Sequence, residues 1–186
     1  MYSTSDFKKG LKIEVDGKPF EIVDFLHVKP GKGGAFVRTK LKNMLTGRVL
    51  DQTFRSGEKV GRPDIQEKQM QYLYRDGDNY CFMDNETYDQ IFLRKEHIGE
   101  SRLFLPENTT VNVLFFNSEP IGIELPIFVE LTITDTEPGV KGDTASKATK
   151  PATLETGAVV SVPIFLNVGD RVKVDTRSGT YVERAK

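Results

Sequence analysis

The sequence predicts an all-β protein built as three small β-barrels in tandem, and three observations predict it. Short apolar runs with two-residue alternation recur along the chain, punctuated by Gly, Pro, Asn and Asp. They fall into three successive sets of roughly five strands, each set about 60 residues long, a size that suits small barrels. Pro63 and Pro126 divide the chain into near-equal parts, which fits tandem units better than one large sandwich. The expected units are residues 1–63, 64–126 and 127–186, with OB-type barrels favoured for the second and third.

The first unit opens with Lys12–Val15 and Pro19–Val23, two strands flanking Asp16-Gly17, a hairpin turn signal. The segment His27–Lys40 then reads as a strand, a glycine-rich tip and a returning strand. Phe20, Ile22, Leu26 and Val28 are expected on one side of the incoming strand, and Val37, Thr39 and Leu41 on one side of the returning one. The tip comprises Lys29, Pro30, Gly31, Lys32, Gly33 and Gly34. Pro30 fixes its own φ and the glycines permit close backbone approach, while no apolar side chain is present to bury. Lys32 is therefore held out into solvent. Val49–Phe54 supplies a further strand before the turn Ser56-Gly57, and the charged stretch Glu58–Asp64 reads as a boundary.

Charge makes more of the tip than a solvated loop. Residues 1–62 hold 13 Lys and Arg against 7 Asp and Glu, whereas residues 63–186 hold 13 against 20, so the formal net charge of −1 conceals a basic N-terminal third. No acid occurs from Phe25 to Leu50. Arg38, Lys40 and Lys42 alternate along one strand and so share a face. A face of one sign beside a lysine-tipped loop predicts contact with the phosphates of a nucleic acid.

In the second unit, strands are expected at Met70–Tyr74, Tyr80–Met83, Ile91–Leu93, Val111–Phe116 and Ile121–Leu125, with Asp76-Gly77 as a turn and one short helix near Lys95–Arg102. The third opens with Phe128–Thr134. A long polar loop over Glu137–Lys150 comes next, then strands at Ala158–Val162, Arg171–Asp175 and Tyr181–Arg184, with turns at Asn167–Asp170 and Arg177–Gly179.

Catalytic chemistry is poorly supplied, and the chain is expected not to be an enzyme. His27 and His97 fall in separate units and have no metal-ligand spacing with Cys81, so neither a metal nor another cofactor is expected. Pro30-Gly-Lys-Gly-Gly lacks the upstream glycine, the following Ser/Thr and the helix of a nucleotide-binding loop. Asp76 and Asp78 bracket a turn glycine, where acids serve the turn. Cys81, the single cysteine, rules out an intrachain disulfide and reads as buried in its strand. No apolar run approaches the roughly 20 residues of a membrane span, and the first ten residues lack a signal-peptide core. A cytoplasmic monomer with no membrane partner is expected.

Longer motifs carry a resemblance. Lys29-Pro-Gly-Lys-Gly33, Ala35–Asn43, Thr53–Lys59, Gln71–Tyr74, Phe82–Asp84 and Glu86–Tyr88 occur in that order. The C-terminal signature runs from Glu137 through Ser146, continues over Lys150–Ala158 and ends in Val162–Phe165. On these residues, from about Ser3 to Arg184, the chain resembles the bacterial elongation factor P family. The resemblance implies an N-terminal SH3-like (KOW-type) barrel followed by two OB-type barrels, in an L-shaped arrangement that imitates tRNA. It implies binding to the ribosome beside the peptidyl-tRNA and relief of stalling at consecutive prolines. By the same resemblance Lys32 reaches the CCA end of the peptidyl-tRNA and is a site for covalent extension by a lysine-modifying enzyme, while Gly142, Asp143 and Thr144 read the exit-site codon. Ribosomal RNA and mRNA are then partners. The chain departs from the family's usual Gly-Gly after Ser146, carrying Lys147-Ala148.

Two other readings compete. An elongation-factor-P-like paralogue would carry a different tip. A general OB-fold RNA-binding protein would need exposed stacking aromatics, and Tyr72, Tyr74, Tyr80 and Phe82 are the candidates, although their alternation places them in a core.

Overall fold

The computed structural model describes residues 1–138 and 148–186. Sixteen strands in chain order account for most of them: β1 Tyr2–Ser3, β2 Lys12–Val15, β3 Lys18–Val28, β4 Phe36–Asn43, β5 Val49–Arg55, β6 Lys59–Val60, β7 Ile65–Asp76, β8 Asn79–Asp84, β9 Gln90–Arg94, β10 Thr110–Phe116, β11 Glu119–Glu124, β12 Phe128–Thr136, β13 Thr149–Leu154, β14 Val159–Pro163, β15 Arg171–Asp175 and β16 Thr180–Arg184. They form a four-stranded sheet ordered β2-β3-β4-β5, a β1-β6 pair, and two five-stranded sheets ordered β11-β10-β7-β8-β9 and β14-β13-β12-β15-β16. The fold is an all-β arrangement of several barrels. By compactness the chain divides into two units, residues 1–68 with 113–122, and residues 69–112 with 123–186.

The first sheet explains the site. Asp16 (φ 51°) and Gly17 (φ 73°) both lie in the left-handed region. Two such residues match the twist of the strands they join, so β2 and β3 pair from Val15↔Lys18 to Lys12↔Glu21. Phe7, Ile13, Phe20, Ile22, Val37, Leu41, Phe54 and Val60 form the core under this sheet. The boundary segment is partly structured: Val60 and Lys59 pair with Tyr2 and Ser3, and Gly61 bridges Glu14.

One expectation fails here. The β3–β4 register slips between Ile22 and Asp24, leaving Val23 as an extra residue. A bulge of one residue exchanges the two faces beyond it. Phe20 and Ile22 are buried, but Leu26 is 61% exposed, so the four apolar residues of β3 do not share a side. Phe25 and His27 instead stand opposite Thr39 and Val37. The returning strand behaves as expected, with Val37, Thr39 and Leu41 all buried.

In the second sheet Tyr72, Tyr80 and Phe82 are core residues, while Tyr74, displaced by a bulge at Leu73, is 43% exposed. Cys81 is buried, and its thiol donates to Gln90 Oε1 at 3.6 Å. The expected helix is shorter than Lys95–Arg102. The α-helix α1 spans only Lys95–Ile98, and Gly99–Phe104 continues as 3-10 helix. Gly99 has φ 59°, outside the helical region, so the α-helical ladder stops there.

The third sheet contains a strand absent from the sequence-based reading. β13 lies between β12 and β14, with Pro151 opposite Ser161. Pro151 gives the ladder no N–H, which argues against a strand at this position. Its carbonyl is nevertheless satisfied, accepting a bond from Thr136 Oγ1 at 2.9 Å. Lys150 is buried, and its ammonium donates to the Glu137 carbonyl. Val129, Leu131, Ile133, Leu154, Val162, Leu166, Val172 and Val174 lead the core of this barrel.

A turn at its edge has a measurable electrostatic signature. Arg177 donates to Asp175 through Nε at 3.1 Å and Nη2 at 2.8 Å, and its backbone N–H donates at 2.9 Å. These bonds, the guanidinium's first, hold the Asp175 carboxyl down at about 2. Because the folded-state value is depressed, the turn's contribution to stability is present above the ordinary carboxylate value and is lost as pH falls from near 4 through about 2. Arg177→Ala should return Asp175 toward the ordinary range. A carboxyl-carbon NMR titration of both forms checks this, and identical titrations would contradict the bonding.

Candidate nucleic-acid interface

The tip is the turn of the β3–β4 hairpin. Residues 29–34 are all exposed, and Gly33 adopts φ 101°. A side chain added at Gly31, Gly33 or Gly34 would meet nothing within 4 Å. The loop therefore packs against no other part of the protein, and its base is closed where Ser56 N–H donates to the Ala35 carbonyl at 3.0 Å. Lys32 sits at its middle. Among the described residues no carboxylate pairs with its ammonium.

The strand behind the tip presents Arg38 and Lys40 as exposed side chains and Lys42 as a half-buried one, all on the face opposite the core. The sheet register determines what stands beside each. Arg38 lies between Leu26 and Thr53, Lys40 between Asp24 and Asp51, and Lys42 between Glu21 and Val49. Nearer the tip, Phe36 lies between Val28 and Arg55. The Arg38 guanidinium sits 5.5 Å from the centre of the Phe36 ring, a cation–π contact that orients it along the face. Thr39, on the buried side, anchors β4 to β5 by donating to the Gln52 carbonyl at 2.7 Å.

This face is less uniformly basic than the acid-free run Phe25–Leu50 suggests. Directly opposed residues on one face lie within about 5.5 Å, so Asp24 and Asp51 flank Lys40 closely enough to offset its charge. Asp24 is itself shared, with Lys9 Nζ at 3.7 Å. Between Leu26, Arg38, Lys40, Asp51 and Thr53 the surface sinks into a shallow groove of about 450 Å³. Four participants escaped sequence reasoning: Leu26, because the bulge turned it outward; the two aspartates, because they come from neighbouring strands; and Arg55, because only the β4–β5 register brings it beside Phe36. The acid-free run does mark the strand correctly, but strand pairing has no local sequence signal.

The proposed exit-site residues Gly142, Asp143 and Thr144 lie outside the described residues. His27 is exposed on β3, its ring 5.6 Å from that of Phe25 and perpendicular to it. Among the described residues no group of three or more His, Cys, Asp and Glu side chains is placed to hold a metal ion. No helix among them is long and apolar enough to cross a membrane.

Similarity to known proteins extends over the whole chain. Residues 3–60 match the elongation factor P KOW-like domain, residues 65–123 the elongation factor P OB domain and residues 129–184 the elongation factor P C-terminal domain. Elongation factor P of Nitratidesulfovibrio vulgaris (strain Miyazaki F) is 61% identical over 184 residues, covering 99% of this chain and 100% of that protein. The elongation factor P of Maridesulfovibrio salexigens is 60% identical over 186 residues, with 100% of both chains covered, and that of Moorella thermoacetica 58% over 185 residues, again with both covered at 100%. Among solved structures, translation initiation factor 5A from Methanococcus jannaschii aligns with a TM-score of 0.45 and 28% identity, over 67% of this chain and 93% of that one. Elongation factor P KOW-like, OB and C-terminal domains in series over the whole chain mark a translation elongation factor. The chain belongs to the elongation factor P family.

Proposed function

We propose that the protein binds the ribosome beside the peptidyl-tRNA and stimulates peptide-bond formation, relieving stalls at consecutive prolines through Lys32. The observation that carries this reading is the tip itself: a lysine on a loop that packs against nothing, at the end of a strand pair rooted in a barrel core. Such a lysine contributes nothing evident to its own fold. Its flexible stem and compact ammonium suit it to reach phosphates and sugar hydroxyls at the CCA end.

The mechanism requires no catalytic group. Proline is a poor peptidyl donor and acceptor, so bound substrates spend most of their time in unreactive geometries. Holding the CCA end where attack is possible converts part of that search into binding energy. Three functional domains, residues 1–63, 64–126 and 127–186, divide the work: the first addresses the peptidyl-tRNA, and Gly142, Asp143 and Thr144 in the third address the exit-site codon. Extension of Lys32 by a modifying enzyme would lengthen the reach, and the open space at Gly31, Gly33 and Gly34 leaves room for it.

Reconstituted translation tests the reading directly. Added protein should raise the yield of a reporter containing three consecutive prolines and leave a proline-free control unchanged. Equal effects on both reporters, or on neither, would remove the proposal.

A further inference from the structure

We propose that Arg55, with Arg38, forms a two-arginine clamp on RNA phosphates just behind the tip, and that this clamp, not the Lys40–Lys42 end of the strand, supplies the affinity of the basic face. This rests on the reading that the protein acts on ribosome-bound tRNA.

The argument begins with cross-strand rows. On the outer face the row nearest the tip is Val28–Phe36–Arg55, and the next is Leu26–Arg38–Thr53. Neither contains an acid. The third row is Asp24–Lys40–Asp51, and Lys42 stands beside Glu21. Charge is thus segregated along β4: cationic next to Lys32, offset further away. Arg38 and Arg55 are both exposed, and among the described residues neither guanidinium is held in an ion pair. Glu58 is the acid closest in sequence to Arg55 on its C-terminal side, and its carboxylate accepts the Arg55 backbone N–H at 2.9 Å.

Arg55 faces Phe36, and Arg38 lies two residues beyond Phe36 on the same strand, so the two arginines are diagonal neighbours. Diagonal positions lie about 7 Å apart. Two guanidinium forks at that spacing can grip one phosphate from both sides or take two in succession, with the bidentate geometry that lysine lacks. Phe36 between them steers the Arg38 fork. Both guanidiniums are left available to an anion, since among the described residues no carboxylate is paired with either. A phosphate strand leading toward the tip satisfies them and delivers the CCA end to Lys32.

The test measures binding of full-length protein to ribosomes carrying peptidyl-tRNA across a salt series, beside the three-proline reporter. Arg55→Ala should weaken binding about tenfold at low salt, as expected for losing a charged hydrogen-bonding partner. It should also lower the slope of log affinity against log salt by about one phosphate contact. Arg55→Lys should keep the slope but recover only part of the affinity, whereas Lys40→Ala should leave both near wild type. In the reporter, Arg55→Ala should raise the concentration for half-maximal relief without lowering the maximum. Thermal melts matching wild type confirm that the fold is intact. Weaker binding with an unchanged slope would mean a contact that is not a phosphate, and Arg55→Ala equal to wild type while wild type relieves stalling would overturn the clamp alone. Failure of the wild-type protein in the reporter would instead remove the reading on which the clamp rests.

Discussion

Lys32→Ala should abolish most of the relief of proline stalling while leaving the protein folded and bound. The side chain is exposed on a loop with no packing partner, so its loss should change stability by no more than about 0.5 kcal/mol. Ribosome affinity should largely survive, because the contacts proposed for Arg38, Arg55 and the other barrels are untouched by the substitution. On the proposed function, what disappears is the group that orders the CCA end, and an ordering contribution can be worth several powers of ten in rate. The maximum yield of the three-proline reporter should therefore collapse toward the level without factor, whatever the concentration added. A mutant that relieves the stall as well as wild type would show that Lys32 is only a solvated lysine.

Phe82→Ala should produce the largest loss of stability. The side chain is fully buried in the second sheet, its ring 5.4 Å from that of Tyr72. Removing a buried phenyl ring costs about 3–5 kcal/mol, from lost transfer energy and the cavity left behind. That is a large share of the roughly 5–15 kcal/mol available to a typical domain. Urea unfolding should show a lower midpoint with a similar slope. Burial also pushes the Tyr72 phenol up to about 12, so the cavity should let that value fall toward the ordinary 10 in a spectrophotometric titration. Phe92→Ala, on the same sheet but 50% exposed, is the control and should cost far less. Equal losses at the two positions would mean that packing around Phe82 does not hold this barrel together.

Much of this molecule is legible before folding is considered. Asp16-Gly17 announces its hairpin, because few residue pairs accept two positive φ angles. The lysine tip is legible for the opposite reason: six consecutive residues offer nothing to bury. The misses share one cause. Val23 and Leu73 are ordinary strand residues, and nothing in their identity marks them as bulges, yet each exchanges the faces of the residues beyond it. β13 is hidden by Pro151, which has no N–H to give the ladder, although its carbonyl is engaged by Thr136, a residue fifteen positions upstream. The offsetting of Lys40 by Asp24 and Asp51 likewise exists only across strands. Local preference reveals turns and alternation. Pairing partners, and everything that depends on them, emerge from the sheet.

The extra residue at Val23 makes the β3–β4 hairpin a pointer whose aim is independent of its head. A bulge bends and twists its strand, so the direction in which the loop leaves the barrel depends on a position about nine residues before Lys32, well outside the loop. Deleting Val23 would leave the loop's sequence and chemistry unchanged and keep Asp24, Leu26 and Val28 outward opposite Lys40, Arg38 and Phe36, while removing the bulge and the bend it puts into the strand. The tip would still be a well-made tip, directed at the wrong place. On the proposed function, recognition is thus written twice, once as the chemistry of a lysine and once as the bend of the strand that carries it.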